Sequence, residues 1–419
     1  MKALRIALGG TMAVAGAGFL STPAFADDAV RIEKLEQENQ ALQRRLSALE
    51  AMAEKEGILP SGDASTDGKK SVFALSEITI SGFVQASYFY NMDKPDDGLS
   101  DAYLWNTKDN SFSLNKFKLT IASKPVATDQ WDAGFRASLM FGEDAPQLNT
   151  GGANGAGGAN TSFNDLREAY VELNVPLGTG LNIKAGELIS LLNYESGDGG
   201  AANVNFSQGN QWWFTGNGPS AGVQATYNFT EKVGLVARVD NGLFQGPVDN
   251  NSGKAFSTSL NLKPTAKLWA NIYGFWDDQP ADNETKGFGT IGGYQLTEKL
   301  GTGFEFDYFN FDAAGDRTDV WSIGSWTWYD FTPTVGLAFR ADYIDNHGGV
   351  LGPAVRPGAG ITTTDTEGNL ASFTLTMNWK PAPNIKVQPE VRFDTTSYAN
   401  GLDGRENRVI VGAGISYLF

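Results

Sequence analysis

From residue 76 onward, apolar and polar residues alternate in short runs with a period of two. That period places one row of side chains on each face of a β-strand. The runs break at residues 124–129, 176–180, 230–232, 264–266, 297–299, 332–333 and 381–384, which read as tight turns at one end of the strands. The remaining connections are longer and richer in Asn, Asp and Gly. Each tight turn joins two strands, and a first and last strand flank them, so the pattern predicts about sixteen strands, an even number. Alternation also sorts the faces. Trp131, Ala133, Phe135, Ala137, Leu139 and Phe141 share one side, opposite Arg136 and Ser138. Val335, Leu337, Phe339, Ala341 and Tyr343 oppose Arg340 and Asp342, and Phe373, Leu375, Met377 and Trp379 oppose Thr374, Thr376 and Asn378. The final run, Val409, Val411, Ala413, Ile415, Tyr417 and Phe419, carries the same alternation to the last residue. The expected fold class is all-β: a transmembrane antiparallel β-barrel, preceded by an N-terminal α-helical coiled coil.

Before residue 76 the period is different. Ile32, Leu35, Asn39, Leu42, Leu46, Leu49 and Ala53 are spaced by threes and fours among Glu, Lys and Arg. That is a heptad seam, with Asn39 at an a position where a buried amide sets register. A helix so short is marginal alone in water, which favours self-association. Residues 1–26 carry a basic start (Lys2, Arg5), an apolar stretch from Ile6 to Leu20 and an Ala24-Phe25-Ala26 cleavage site, so they read as a signal peptide. The expected organisation is a signal peptide (1–26), a periplasmic coiled coil (27–56), a flexible linker (57–75) and an outer-membrane barrel (76–419).

Composition narrows the chemistry. Hydrophobic residues make up 41% of the chain and Gly numbers 50, which suits strands with a single apolar face joined by polar loops. Cys is absent, removing disulfides, thiolate nucleophiles and sulfur metal ligands. The one His, His347, lies in an Asp-Asn-His-Gly-Gly run with no nucleophile elbow in sight, so no catalytic residue is expected. No metal-spaced His pair, phosphate loop or nucleotide fingerprint occurs, and no cofactor or metal is expected. Acidic runs at residues 93–97 and 277–278 lack the ligand spacing of a calcium loop and read as solvated. The formal charge of −16, more negative still once Lys2 and Arg5 leave with the signal peptide, argues against nucleic-acid partners.

Several segments resemble the OmpL-like β-barrel porin family. They are Ile80-Ser-Gly-Phe-Val-Gln-Ala-Ser-Tyr88-Phe-Tyr90-Asn91, Leu166-Arg-Glu-Ala-Tyr-Val-Glu-Leu173 and Leu181-Asn-Ile-Lys-Ala-Gly-Glu187. Asn193-Tyr-Glu-Ser196, Ala221-Gly-Val-Gln-Ala-Thr-Tyr227 and Val239-Asp-Asn-Gly242 also fit, although Val239-Asp240 departs from the more apolar lead-in expected there. The resemblance spans about residues 78–419 and implies a bacterial outer-membrane location among lipids, with Tyr417 and Phe419 as the signal read by the barrel-assembly machinery. It also implies a homotrimer; the heptad positions Ile32, Leu35, Asn39, Leu42, Leu46 and Leu49 lie outside the resemblance and are the oligomerisation seam expected from their spacing. Porins fold the connection between strands five and six into the lumen. Here that connection is 190–218, the longest non-alternating stretch of the barrel region, carrying Glu195, Asp198, Trp212 and Trp213 as constriction candidates.

Alternation assigns further charged residues to the inner face. Lys116, Lys118, Arg136, Arg340, Lys386, Arg392 and Arg408 fall on strands that closure brings together, with Lys184 and Arg238 elsewhere on the wall. Glu168, Glu172, Glu305 and Asp307 are their acidic counterparts, while Glu390 and Asp394 interrupt the basic arc. Two readings follow: a transverse field in which Arg136, Arg340 and Arg392 face Glu195 and Asp198, or locally neutralised ion pairs. The expected function is a porin passing small hydrophilic solutes and ions by passive diffusion. One rival is an envelope scaffold whose coiled coil engages the cell wall; the other is an outer-membrane hydrolase recruiting His347.

Overall fold

The computed structural model describes residues 78–100, 105–148, 165–216, 218–243, 249, 251–280, 283–313, 316–346 and 367–419. The signal peptide, the coiled-coil seam from Ile32 to Leu49, the linker and His347 therefore lie outside the described residues. Among the described residues the strands are β1 (Ile78–Asn91), β2 (Ser111–Ser123), β3 (Asp132–Phe141), β4 (Leu166–Val175), β5 (Leu181–Leu188), β6 (Ser220–Thr230), β7 (Val233–Asp240) and β8 (Lys254–Thr265). They continue as β9 (Leu268–Gln279), β10 (Asn283–Gln295), β11 (Leu300–Ala313), β12 (Asp316–Thr332), β13 (Val335–Asn346), β14 (Gly368–Ala382), β15 (Ile385–Thr396) and β16 (Asn407–Leu418).

Every strand pairs antiparallel with its chain neighbours, and β1 pairs with β16 to close the cylinder. At the seam the Gly82 amide donates to the Phe419 carbonyl at 2.9 Å and the Phe419 amide returns a bond to Gly82 at 3.0 Å. The terminal ring stacks against Phe117, with centroids 6.5 Å apart. No edge is left for another strand to pair with, as a structure in hydrocarbon requires.

The seven predicted tight turns fall at the seven connections that share one end of the barrel, from β2–β3 to β14–β15. Four share one device. Thr230, Thr265 and Thr332 end their strands and Thr297 stands two residues past the end of β10, and each hydroxyl accepts the backbone N–H groups two and three residues on. The threonine side chain thus takes the place of a ladder partner and turns the chain within two residues. In the β14–β15 turn Asn384 does comparable work with φ +69°, a left-handed conformation that Asn tolerates.

The faces sort as alternation predicts. Trp131, Leu139, Phe141, Leu337, Phe339, Phe373, Leu375, Met377 and Trp379 are exposed, whereas Ser138, Arg340, Asp342, Thr374 and Thr376 are buried inside. Away from the tight turns, two bulges break that regularity. Between β1 and β2 the pairing steps from Gln85–Lys116 to Ala86–Leu114, and between β3 and β4 from Ser138–Glu168 to Leu139–Leu166. The extra residues, Asn115 and Arg167, are both buried next to an inward neighbour. An extra residue lets two successive side chains leave on the same face.

Candidate functional site

The connection between β5 and β6 has no strand pattern and instead ties itself into a compact lobe. The Ser196 amide donates to Asn203 Oδ1 at 2.8 Å, and Asn203 Nδ2 returns a bond to the Ser196 carbonyl at 2.9 Å. Trp212 Nε1 donates to the Glu195 carbonyl at 2.7 Å, at the start of a short helix, Asn210–Phe214. A single 3-10 turn, Gly199–Ala201, begins at a left-handed Gly199.

This lobe is bonded to inward-facing side chains of β11 to β15. Glu390 accepts the Phe206 amide at 2.8 Å and the Ser207 amide at 3.2 Å, and Thr376 also donates to it. Glu305 accepts the Tyr194 amide at 3.2 Å, and Asp342 the Asn210 amide at 3.1 Å. Asp307 accepts from Gln211 and from Thr215, each at 3.0 Å. The carbonyls are served by cations: Lys386 donates to Gly200 at 2.8 Å, and Arg392 to Gln208 at 2.8 Å. Irregular backbone away from water must find partners for its amides and carbonyls. Here the wall supplies carboxylates for the first and cations for the second. Aromatic rings seat where the wall has no side chain. A Cβ at Gly414 would stand 1.9 Å from the Phe206 ring, and one at Gly303 would stand 2.2 Å from Tyr194.

The arginines on this side are fixed in ion pairs. Arg340 lies 3.0 Å from Glu195 and 3.4 Å from Asp342. Asp394 sits between Arg392 at 2.6 Å and Arg408 at 2.8 Å, and Arg408 also meets Asp403 at 3.1 Å. Lys116 is 3.3 Å from Asp144, in the connection leaving β3. Burial pushes the Asp144 carboxyl above its ordinary value, and the Lys116 charge opposes that shift.

On the other side a cavity of about 490 Å³ separates the lobe from β2 to β7. Its lobe face carries Tyr194, Glu195, Asp198 and Trp212, and its wall carries Lys118, Arg136, Arg167, Glu168, Tyr170, Lys184 and Arg238. Lys118 meets Asp198 at 2.8 Å, and Arg136 donates to Glu168 at 2.6 Å. Lys184 lies 4.0 Å from Glu172 and 4.6 Å from the centre of the Tyr170 ring. Arg238 donates to Gln224 at 2.7 Å and to the Ile189 carbonyl at 2.9 Å. Arg167 donates to the Leu148 carbonyl at 2.7 Å. Trp212 packs edge-on against Trp105, with centroids 4.8 Å apart; of Trp213 only the backbone is described.

The structure thus distributes the predicted inner-face residues between two settings. Arg340, Arg392, Glu305 and Asp307 hold the lobe, with Arg408 behind Asp394, while Lys118, Arg136, Glu168, Lys184 and Arg238 border the open space. Glu172 stands beside the latter group, accepting from Asn182 at 2.7 Å. Arg167 is the residue that alternation misassigns, because strict period two sends it to the lipid face beside Ala169 and Val171. An arginine in a lipid-facing row is costly, and that mismatch is itself the sequence signal for a bulge. Tyr417 and Phe419 are exposed on the outer surface.

Known structures share this architecture at low identity. Pseudomonas putida OprB aligns at 12% identity with a TM-score of 0.55, covering 82% of this chain and 94% of that one. DcaP, an outer-membrane channel of Acinetobacter baumannii, aligns at 14% and 0.53, covering 83% and 99%, and an anion-selective porin from Comamonas acidovorans at 11% and 0.53, covering 82% and 99%. No curated protein matches the chain. Residues 77–419 match the family described as "Putative beta-barrel porin-2, OmpL-like", whose span takes in all sixteen strands; the chain belongs to that family of β-barrel porins.

Proposed function

We propose that this outer-membrane porin passes small hydrophilic solutes by diffusion, through the space left between the 190–218 lobe and the β2–β7 wall. The observation that carries the reading is the uneven fastening of the lobe. Most of its bonds go to β11–β15, whereas on the opposite side Lys118 reaches Asp198 beside an open volume of about 490 Å³. A cylinder of this strand number is too wide for wall side chains alone to fill, so an inward segment sets the cross-section. Passage then depends on size, charge and hydration, with no covalent step. β1 begins at the end of the barrel that carries the tight turns, the periplasmic end in this reading.

Single-channel conductance in planar bilayers tests the reading. Shortening 190–218 is expected to raise conductance, because the narrowest section dominates resistance. Removing residues 347–360, from a different connection, is expected to change it far less. Equal effects from the two deletions would sink the assignment of 190–218 as the constriction.

A further inference from the structure

The ion pairs around the cavity leave its charges unbalanced. Five cationic residues and three acidic ones line it. All three carboxylates are engaged by cations: Glu168 by Arg136, Asp198 by Lys118, and Glu195 by Arg340 from behind. Among the described residues, Arg167 and Arg238 have no carboxylate within 4.0 Å, and their hydrogen bonds go to neutral oxygens of Leu148, Gln224 and Ile189. Lys184 reaches Glu172 only at 4.0 Å. Asp198, Glu168, Glu187 and Asp240 act on the two guanidinium groups from farther away. Both arginines are nearly buried, at 6% and 3% exposure, so bulk water hydrates them poorly. A desolvated cation whose counter-charges stand beyond contact distance attracts an anion. Apolar surface from Leu188, Leu191 and Trp212 adjoins them, and the volume lies in the range of small-molecule sites.

Resting on the diffusion reading above, we infer that this cavity is a station for small organic anions. A carboxylate would be held by Arg167 and Arg238, with Lys184 beside them, while its apolar body lies against Leu188, Leu191 and Trp212. The arginines fastened in the opposite wall, Arg340, Arg392 and Arg408, already have carboxylate partners and do not set the selectivity.

Reversal potentials of the full mature chain in planar bilayers, across a potassium chloride gradient, test this. The channel is expected to prefer chloride despite the acidic chain. Arg167→Gln with Arg238→Gln should lower the chloride-over-potassium permeability ratio by about threefold. Arg238→Gln and Lys184→Gln singly should each lower it by less, and they serve if the double variant fails to fold. Arg317→Gln removes the same charge from an exposed pair with Asp312 and should leave the ratio unchanged. Benzoate should slow the chloride current more than inorganic phosphate does, and the double variant should relieve that block. A cation preference, or a chloride preference that none of the three substitutions moves, overturns the inference while leaving the pore intact. Phosphate blocking as strongly as benzoate overturns the organic part of it. A folded protein that passes no current overturns the diffusion reading and this inference together.

Discussion

Arg340 has no exposed surface, yet a guanidinium cannot shed its proton to escape burial. It survives there because Glu195, Asp342, the Ser207 carbonyl and Thr374 surround it with acceptors. Glu195 is held in turn by Trp326 Nε1 at 3.0 Å and the Gly209 amide at 2.7 Å. Removing one partner of a buried pair strands the other, at a cost of about 3–5 kcal/mol. Arg340→Ala should therefore weaken the lobe's attachment by about that much, while the strand ladders persist. Hydrogen exchange is the measurement: the Ser207 and Gly209 amides should exchange much faster, and strand amides at nearly the original rate. Uniform loss of protection around the barrel would show instead that Arg340 supports the wall.

At the level of elements, the strands and turns were legible because each rests on a local rule. Alternation needs only the residues of one strand, and the threonine-ended turns need only three or four. Arg167 was not legible in this way, since a bulge is a relation between two strands that period two in one of them cannot record. The partnering of Arg392 and Arg408 by Asp394 also depends on register across β15 and β16. The lobe's seat was hidden for the same reason, as Gly414 and Phe206 lie far apart in the chain. Gly414→Val would drive a side chain into the Phe206 ring, whereas the outward face of β16 would stay unchanged. The expected result is a folded barrel with a displaced lobe and a larger, noisier single-channel current. Normal current from this variant would show that the ring at Gly414 does not hold the lobe.

For the whole molecule, the exposed apolar rows form the belt that lipid is expected to cover. Leu375 is in the middle of β14 and exposed to that belt. Leu375→Arg should cost about 2–4 kcal/mol of barrel stability, the range for a charge at mid-bilayer. The same change at Leu177, exposed in the β4–β5 turn, should cost almost nothing. Unfolding from lipid vesicles in denaturant compares the two, and equal costs would contradict the placement of the belt. We propose that the heptad pattern at residues 32–53 drives assembly of three chains. Native mass measurement of the mature chain should give three copies, and deleting residues 27–56 should weaken that assembly more than barrel folding. A stable single copy would end the trimer proposal. The lobe has one consequence that is mechanical rather than chemical. Rooted between β5 and β6 and bonded to β11–β15, it crosses the cylinder like a diagonal strut in a hoop. An unbraced hoop flattens when squeezed from the side, whereas a strutted one keeps its outline. Lateral pressure from the bilayer is then borne by bonds such as Tyr194–Glu305 and Asn205–Thr376, and the open cross-section becomes insensitive to membrane tension.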